Sequence, residues 1–253
     1  MIHVYYRTSD NNNKKIKPPF ITNENCLNNF IRCFNPESMQ IIADNVNSET
    51  LDSLKTHGIE ILQTKLGNPG SFKYALDLAI QRNNDDIIYF VENDYVHTPN
   101  SKQIMYEAFN ELNQINPDGS KINIDYVTLY DHPDKYSYHY NINYNKYVYF
   151  SHNDCRIHKD GGKNSSNKYS LVMYGKTSYW KTTPSTCMTF AAKVSTLKED
   201  YEDIVSFLSK LNSDMHMFEK LTYDKNRMLI SPIPGAASHG DLLSPNIDWK
   251  QYI

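Results

Sequence analysis

The residues of this chain best placed to do chemistry are Glu92, Asn93 and Asp94, which bring an apolar run, Ile87-Ile88-Tyr89-Phe90-Val91, to an abrupt stop. Such a run reads as a strand buried on both faces that delivers an acidic pair to the end of a sheet. Crevices beyond strand ends are where open α/β sheets bind ligands. Side chains alternate along a strand, so Glu92 and Asp94 are expected on one side and Asn93 on the other. Two neighbouring carboxylates repel unless a cation lies between them, and hard oxygen ligands on one face suit Mg²⁺ or Mn²⁺. The same residues would also serve as a solvated acidic turn, so the rest of the chain has to decide.

The elements that must position this pair alternate through the first half. Ile2 to Tyr6 is a short strand followed by Arg7, Thr8 and an Asn/Lys/Pro loop reaching Pro19. Cys26, Leu27, Phe30, Ile31 and Phe34 share one helix face, ended by Asn35-Pro36. Met39 to Ala43 is a second strand with Asp44 at its end, Leu51 and Leu54 mark a short helix, and Ile59 to Gln63 is a third strand. Gly67-Asn68-Pro69-Gly70-Ser71 is expected as a tight loop before an amphipathic helix carrying Phe72, Ala75, Leu76, Ala79 and Ile80. After the acidic strand a further helix opens near Ser101. Strict alternation implies an α/β fold, a Rossmann-like, mostly parallel sheet flanked by helices, with a nucleotide-binding half over residues 1–115.

Residues 116–253 read as the acceptor half of the same domain, holding a smaller acceptor-side region. Strands are expected at Ile124 to Tyr130, Ser170 to Tyr174 and Arg227 to Ile230, and helices at Asp203 to Leu211 and Asp214 to Leu221. The Tyr- and Asn-rich stretch from Tyr136 to Tyr149 suits packing between short strands or a sugar-stacking wall. Asp160–Gly162 and Asn164–Ser166 read as turns. The tail from Asp241 to Ile253 is either a lid over a bound ligand or a packed terminus.

Composition narrows the function classes. A chain of 253 residues has ample apolar material for a core, and its formal net charge of −3 leaves no electrostatic footprint for nucleic acid. Lys14, Lys15 and Lys17 form a small cluster that reads as a solvated loop. Cys26, Cys33, Cys155 and Cys187 show no C-x-x-C spacing and read as reduced, buried thiols. No apolar run reaches the roughly 18 residues of a membrane span, and the first residues run straight into a strand, so a cytoplasmic protein is expected.

Taken in order, the motifs Arg7-Thr8, Asp44, Asn68-Pro69-Gly70-Ser71, Glu92-Asn93-Asp94, Ser185 to Phe190, Ser213-Asp214 and Ser238-His239-Gly240 resemble the GT-A fold of nucleotide-sugar glycosyltransferases, most closely enzymes of the family 2 type. The resemblance implies a nucleoside diphosphate sugar donor, with a UDP-sugar favoured, contacted by Arg7, Thr8, Asp44, Asn68, Glu92 and Asn93. It implies Mn²⁺ or Mg²⁺ on Glu92, Asp94 and the late His239, and Ser185 to Phe190 as an acceptor-side strand. It also implies Asp214 as general base for inverting transfer to a hydroxyl of a glycan or other acceptor. Glu92 stands where the family has its first Asp. The Arg-Asn pair common in the following helix is replaced by Ala75 and Leu76, which leaves Lys73 as the candidate cation toward the diphosphate.

Plainer readings stand beside these. An Asp in the first helical turn is an ordinary dipole-favoured choice, and a single late His is often a packing residue. Asp200 is a fallback base that reads as part of a solvated face. A nucleotidyltransferase would share the nucleotide half and the metal, yet needs a Gly-rich phosphate loop with a basic residue near the first strand. Here only Arg7 follows that strand directly and no Gly is near it. A non-catalytic nucleotide- or sugar-binding protein is the remaining alternative.

Overall fold

The computed structural model describes residues 1–11, 16–112, 123–133, 140–141, 146–147, 172–208, 213–245 and 247–253. Strand β1 (Ile2–Thr8) is buried along its whole length, as its apolar run demands. It lies between β2 (Ser38–Asp44) and β4 (Ile87–Glu92), parallel to both, with β3 (Glu60–Thr64) parallel beyond β2. Helices α1 (Asn23–Phe34), α2 (Ser48–Lys55) and α3 (Gly67–Ala79) supply the crossovers. Thr22 starts α1 by accepting from the Asn25 N–H at 3.1 Å, and Asn35, in the left-handed region at φ 47°, ends it.

The chain continues through β5 (Tyr95–His97), α4 (Ser101–Asn110) and β6 (Tyr126–Val127). The dipeptides β7 (Tyr140–Asn141) and β8 (Lys146–Tyr147) pair with each other. Next come β9 (Val172–Tyr174), β10 (Tyr179–Thr182), β11 (Phe190–Lys193), α5 (Val194–Phe207), α6 (Ser213–Lys225), β12 (Leu229–Ile233), β13 (Ala237–His239) and a 3₁₀ turn, Trp249–Tyr252. The main sheet has nine strands in the order β3-β2-β1-β4-β11-β6-β12-β10-β9. Only β10 and β11 run against the rest, so the expected mostly parallel α/β sheet is present. The two halves interlock, because β11 of the second half pairs with β4 of the first and β13 pairs with β5.

Each face of the sheet has its own core. Leu27, Phe30 and Phe34 of α1, Leu54 of α2 and Ile104, Met105 and Phe109 of α4 cover one face. Phe72 and Leu76 of α3, Leu197 and Ile204 of α5 and Phe218 and Leu221 of α6 cover the other. Burying such side chains at about 1.5–3 kcal/mol each is the main force holding the layers together.

Several boundaries differ from the sequence reading. Gly67 to Ser71 is already the first turn of α3, where Pro69 lacks only an N–H that has no intrahelical partner in any helix. Of Ile124 to Tyr130 only Tyr126–Val127 is strand, since Tyr130 leaves the sheet to bridge to Ala237. Ser185 to Thr189 is a loop and not a strand, because Cys187 and Met188 take positive φ of 45° and 58°. The helix expected at Asp203 begins at Val194, and the last strand of the main sheet runs on to Ile233. The tail packs: Trp249 is buried with Ile21, Cys26 and Val96, and its indole N–H donates to the Ser244 carbonyl at 2.8 Å. Lys14, Lys15, Cys155, most of the Tyr136 to Tyr149 stretch and the turns at 160–162 and 164–166 lie outside the described residues. Among the described residues no helix is long and apolar enough to cross a membrane.

Candidate active site

The C-terminal ends of β1, β2 and β4 open on a cleft of about 510 Å³ lined by Arg7, Thr8, Asp44, Asn68, Glu92, Asn93 and Asp94. Lys17, Cys187, Met188, Asp214, His239 and Asp241 complete its walls. The parallel register sets Arg7 opposite Glu92. The buried guanidinium lies 3.4 Å from Glu92 Oε1 and donates to both the carbonyl and the side-chain oxygen of Asn68, tying the end of β4 to the first turn of α3. It also sits 5.3 Å from the centre of the Phe72 ring. Burial pulls the Arg7 pKa down, opposed by the charges of Glu92 and Asp44.

Strand β4 ends at Glu92 and the chain turns through Asn93 and Asp94, so side-chain alternation stops there. Asn93 therefore does not point away: it faces the same cleft, donating to Asn23 Oδ1 at 2.8 Å, Thr8 Oγ1 at 3.3 Å and the Ser9 carbonyl at 3.3 Å. His239 reaches the acidic pair through the antiparallel β13–β5 ladder, which places it opposite Tyr95, the neighbour of Asp94. Gly240 makes this approach feasible. Its N–H donates to the Asp94 carbonyl at 2.8 Å, and a Cβ there would stand 2.5 Å from Ile21 Cγ2 and 3.0 Å from that same carbonyl oxygen. The imidazole packs on Tyr95 at 5.1 Å, with Nε2 3.2 Å from Asp94 Oδ2 and Nδ1 3.8 Å from Asp241 Oδ2.

Glu92, Asp94 and His239 each offer a ligand atom, and these atoms lie within 4.8 Å of one another. Burial opposes ionisation of Asp94, but the hydrogen bond and charge of His239 and the Lys17 ammonium outweigh it and hold the carboxyl well below the usual carboxylate range. Burial likewise works against charge on His239, and Asp94 more than reverses it, raising the pKa. Glu92 moves up through burial, with Arg7 opposing and Asp94 adding to the rise. Among the described residues Asp94 Oδ1, like Arg7 Nε on the same wall, is buried with no hydrogen-bond partner. Two carboxylates and an imidazole, with a buried oxygen left unsatisfied, fit a divalent ion such as Mn²⁺ or Mg²⁺.

Other expected residues take different places. Asp44 accepts from the Leu66 and Gly67 N–H groups at 2.6 and 3.0 Å, from Thr64 Oγ1 at 2.8 Å and from Asn45 Nδ2 at 2.7 Å. Burial opposes its ionisation, yet these four donors bring its pKa down, and it shapes the turn into α3 while lining the cleft. Lys73 does not face the cleft. Because α3 already starts at Gly67, Lys73 lies on a helix face where Asp77, one turn on, and Tyr201 of α5 take its ammonium at 2.8 and 2.9 Å. Asp200 is no solvated face: it is fully buried in an ion network with Arg227 and Lys225.

Asp214 lies in the cleft wall at the start of α6. Its Oδ2 accepts from Ser185 Oγ at 2.6 Å, Thr186 N at 2.8 Å and Cys187 N at 3.1 Å, and its Oδ1 accepts from Thr186 Oγ1 and Met188 N. It thus anchors a loop with two consecutive left-handed residues, a conformation that costs roughly 1–2 kcal/mol per non-glycine residue. Among the cleft residues that the sequence reading missed, with Asp241, is Lys17, whose ammonium contacts Asp94 Oδ2 at 2.8 Å. It lies in an aperiodic loop, where no spacing pattern distinguishes a solvated lysine from one folded into a site.

No family model and no curated protein matches the chain. Among solved structures it is similar to that of GalNAc-T7 with UDP, GalNAc and Mn²⁺, with a TM-score of 0.52 and 11% identity over 94% of this chain and 43% of that one. S. aureus TarS 1-349 aligns with a TM-score of 0.49 and 15% identity, covering 91% of this chain and 57% of that one. A nucleotidyl transferase from Methanothermobacter thermautotroptrophicus aligns at 0.47 and 9% identity, covering 91% and 86%. The chain thus spans about half the length of the first two. At these identities the likeness is one of fold: the chain has a GT-A-like fold.

Proposed function

We propose that this chain is a metal-dependent glycosyltransferase that moves a sugar, as in hexosyl transfer, from a nucleoside diphosphate sugar to a hydroxyl of a glycan or other acceptor. The observation that carries the reading is the convergence of Glu92, Asp94 and His239 in the cleft beyond β4, with a buried Asp94 oxygen left without a partner among the described residues. A Mn²⁺ or Mg²⁺ ion bound there supplies Lewis-acid stabilisation for the charge that grows on a departing diphosphate. The chain's own residues do the rest. Arg7 holds the rim formed by Glu92 and Asn68, while Thr8, Asn68 and Asn93 offer hydrogen-bonding groups to a nucleotide. Asp214 is the proposed base, releasing one of its loop donors as it takes the acceptor proton. GalNAc-T7, solved with UDP and Mn²⁺, supports the choice of a UDP-sugar donor and of the ion.

Attack at phosphorus is less well served. The guanidinium of Arg7 is committed to Asn68 and Glu92, and no glycine occurs in residues 1–11 to cradle phosphate. Calorimetric titration of UDP with and without Mn²⁺, run beside an assay of UDP-sugar hydrolysis, tests the reading. Mn²⁺ should tighten UDP binding strongly, donor should turn over slowly, and Asp94→Ala should lose both. Metal-independent binding with both properties intact in Asp94→Ala would overturn it.

A further inference from the structure

We propose that Lys17 and the divalent ion compete for Asp94, so that nucleotide, by drawing the ammonium onto its diphosphate, opens the carboxylate to metal. This deepens the metal-dependent reading and rests on it. Lys17 Nζ lies 2.8 Å from Asp94 Oδ2, and the same oxygen faces His239 Nε2 at 3.2 Å. With Arg7 3.4 Å from Glu92, positive groups of the chain already sit against both carboxylates. A doubly charged ion brought beside an ammonium at ion-pair distance is repelled, the more so in a cleft wall where the Glu92 and Asp94 side chains are only 22% and 13% exposed. Asp94 Oδ1 is open among the described residues, but an ion there and an ammonium on Oδ2 face each other across one carboxylate, so metal and Lys17 cannot share it at low cost.

The ammonium has somewhere to go. Its side chain is 19% exposed and borders two spaces, the cleft itself and a neighbouring cavity of about 510 Å³ lined also by Ile21, Thr22, Asn23 and Asn93. Among the described residues it is the only lysine lining the cleft, Lys73 being turned to Asp77 and Tyr201. A lysine is a compact point charge on a flexible stem, well suited to leave one anion for a more highly charged one. The backbone beneath it is held, since Pro18 and Pro19 follow directly and the Ile21 N–H donates to the Pro18 carbonyl at 2.9 Å. The motion required is of the side chain alone.

The test is Mn²⁺ affinity without nucleotide, read from the electron paramagnetic resonance of the free ion, for the wild type, Lys17→Met, Lys17→Arg and Asp94→Ala. Lys17→Met should bind Mn²⁺ roughly tenfold tighter or more, Lys17→Arg should stay near wild type, and Asp94→Ala should bind least. UDP should tighten Mn²⁺ binding strongly in the wild type and weakly in Lys17→Met. Equal or weaker Mn²⁺ binding in Lys17→Met, with Asp94→Ala still impaired, overturns the competition and leaves the metal site standing. Equal binding in all four proteins, or binding in none, overturns both. Thermal unfolding of each variant shows that the comparison is made on folded protein.

Discussion

Two buried acidic clusters lie at opposite ends of the sheet, and they are built differently. At the N-terminal ends of β6 and β12, Asp125 and Asp200 surround Arg227. Its Nε and Nη1 reach Asp200 Oδ2 at 2.8 Å and Asp125 Oδ1 at 3.1 Å. Lys225 adds a contact to Asp200 at 3.0 Å, the Tyr126 hydroxyl donates to Asp200 at 2.6 Å, and the Met228 N–H donates to Asp125 at 2.9 Å. All four oxygens of Asp125 and Asp200 have donors. At the C-terminal ends, Glu92 and Asp94 face Arg7, Lys17 and His239, yet among the described residues Asp94 Oδ1 has no donor. The difference teaches which cluster is structural: a network closed by its own side chains holds the fold, and one with an unsatisfied buried oxygen is shaped for something that arrives from outside.

Breaking the closed network should have the largest effect. Asp200→Ala leaves Arg227 and Lys225 facing each other without their shared carboxylate, and should cost about 3–5 kcal/mol of stability in urea unfolding. The fraction that stays folded should keep its Mn²⁺ affinity. The mirror experiment is Asp94→Asn, which should lower Mn²⁺ affinity by about 100-fold while moving stability by only about 1 kcal/mol. A large stability loss there, or a Mn²⁺ loss in Asp200→Ala, would erase the distinction between the clusters.

A buried titrating group outside both clusters sharpens it. His97 is fully buried against Tyr89, whose hydroxyl is 2.7 Å from Nε2, and burial pulls its pKa down to about 3. An unfolded His titrates near 6.5. Between those values the unfolded chain binds a proton that the folded chain refuses, so stability is lost as pH falls from about 6.5 toward 3. His97→Gln should flatten that part of the profile of melting temperature against pH. The smallest effect belongs to Lys73→Ala: its ion pair with Asp77 is exposed on the surface of α3, and neither UDP affinity nor melting temperature should change measurably.

Much of the site was legible because it is local. Glu92 and Asp94 follow directly from where an apolar run stops, and Asp44 from the same logic on β2. Failures came where a residue's destination depends on a distant partner. Lys17 and Lys73 were misplaced in opposite directions, since a flexible cation goes to whichever carboxylate folding brings near. Asp200 was read as solvated because helical periodicity does not reveal that Arg227 waits across from it. At Ser185 to Thr189 the resemblance implies a strand, and nothing in the local sequence announces the loop found there. Its two left-handed residues are sustained by Asp214, which belongs to another element.

The sequence by itself determined the alternation of strand and helix, the burial of β1 and β4 and the delivery of an acidic pair to a strand end, because side-chain period and apolar run length act over a few neighbouring residues. Only the tertiary structure decided that β13 would lay His239 beside Asp94, that Lys17 would close on the same oxygen and that Asp214 would gather a strained loop. Charges and hydrogen-bonding groups are satisfied by whatever the packed elements bring within about 3 Å, and strand pairing between remote segments sets those neighbours.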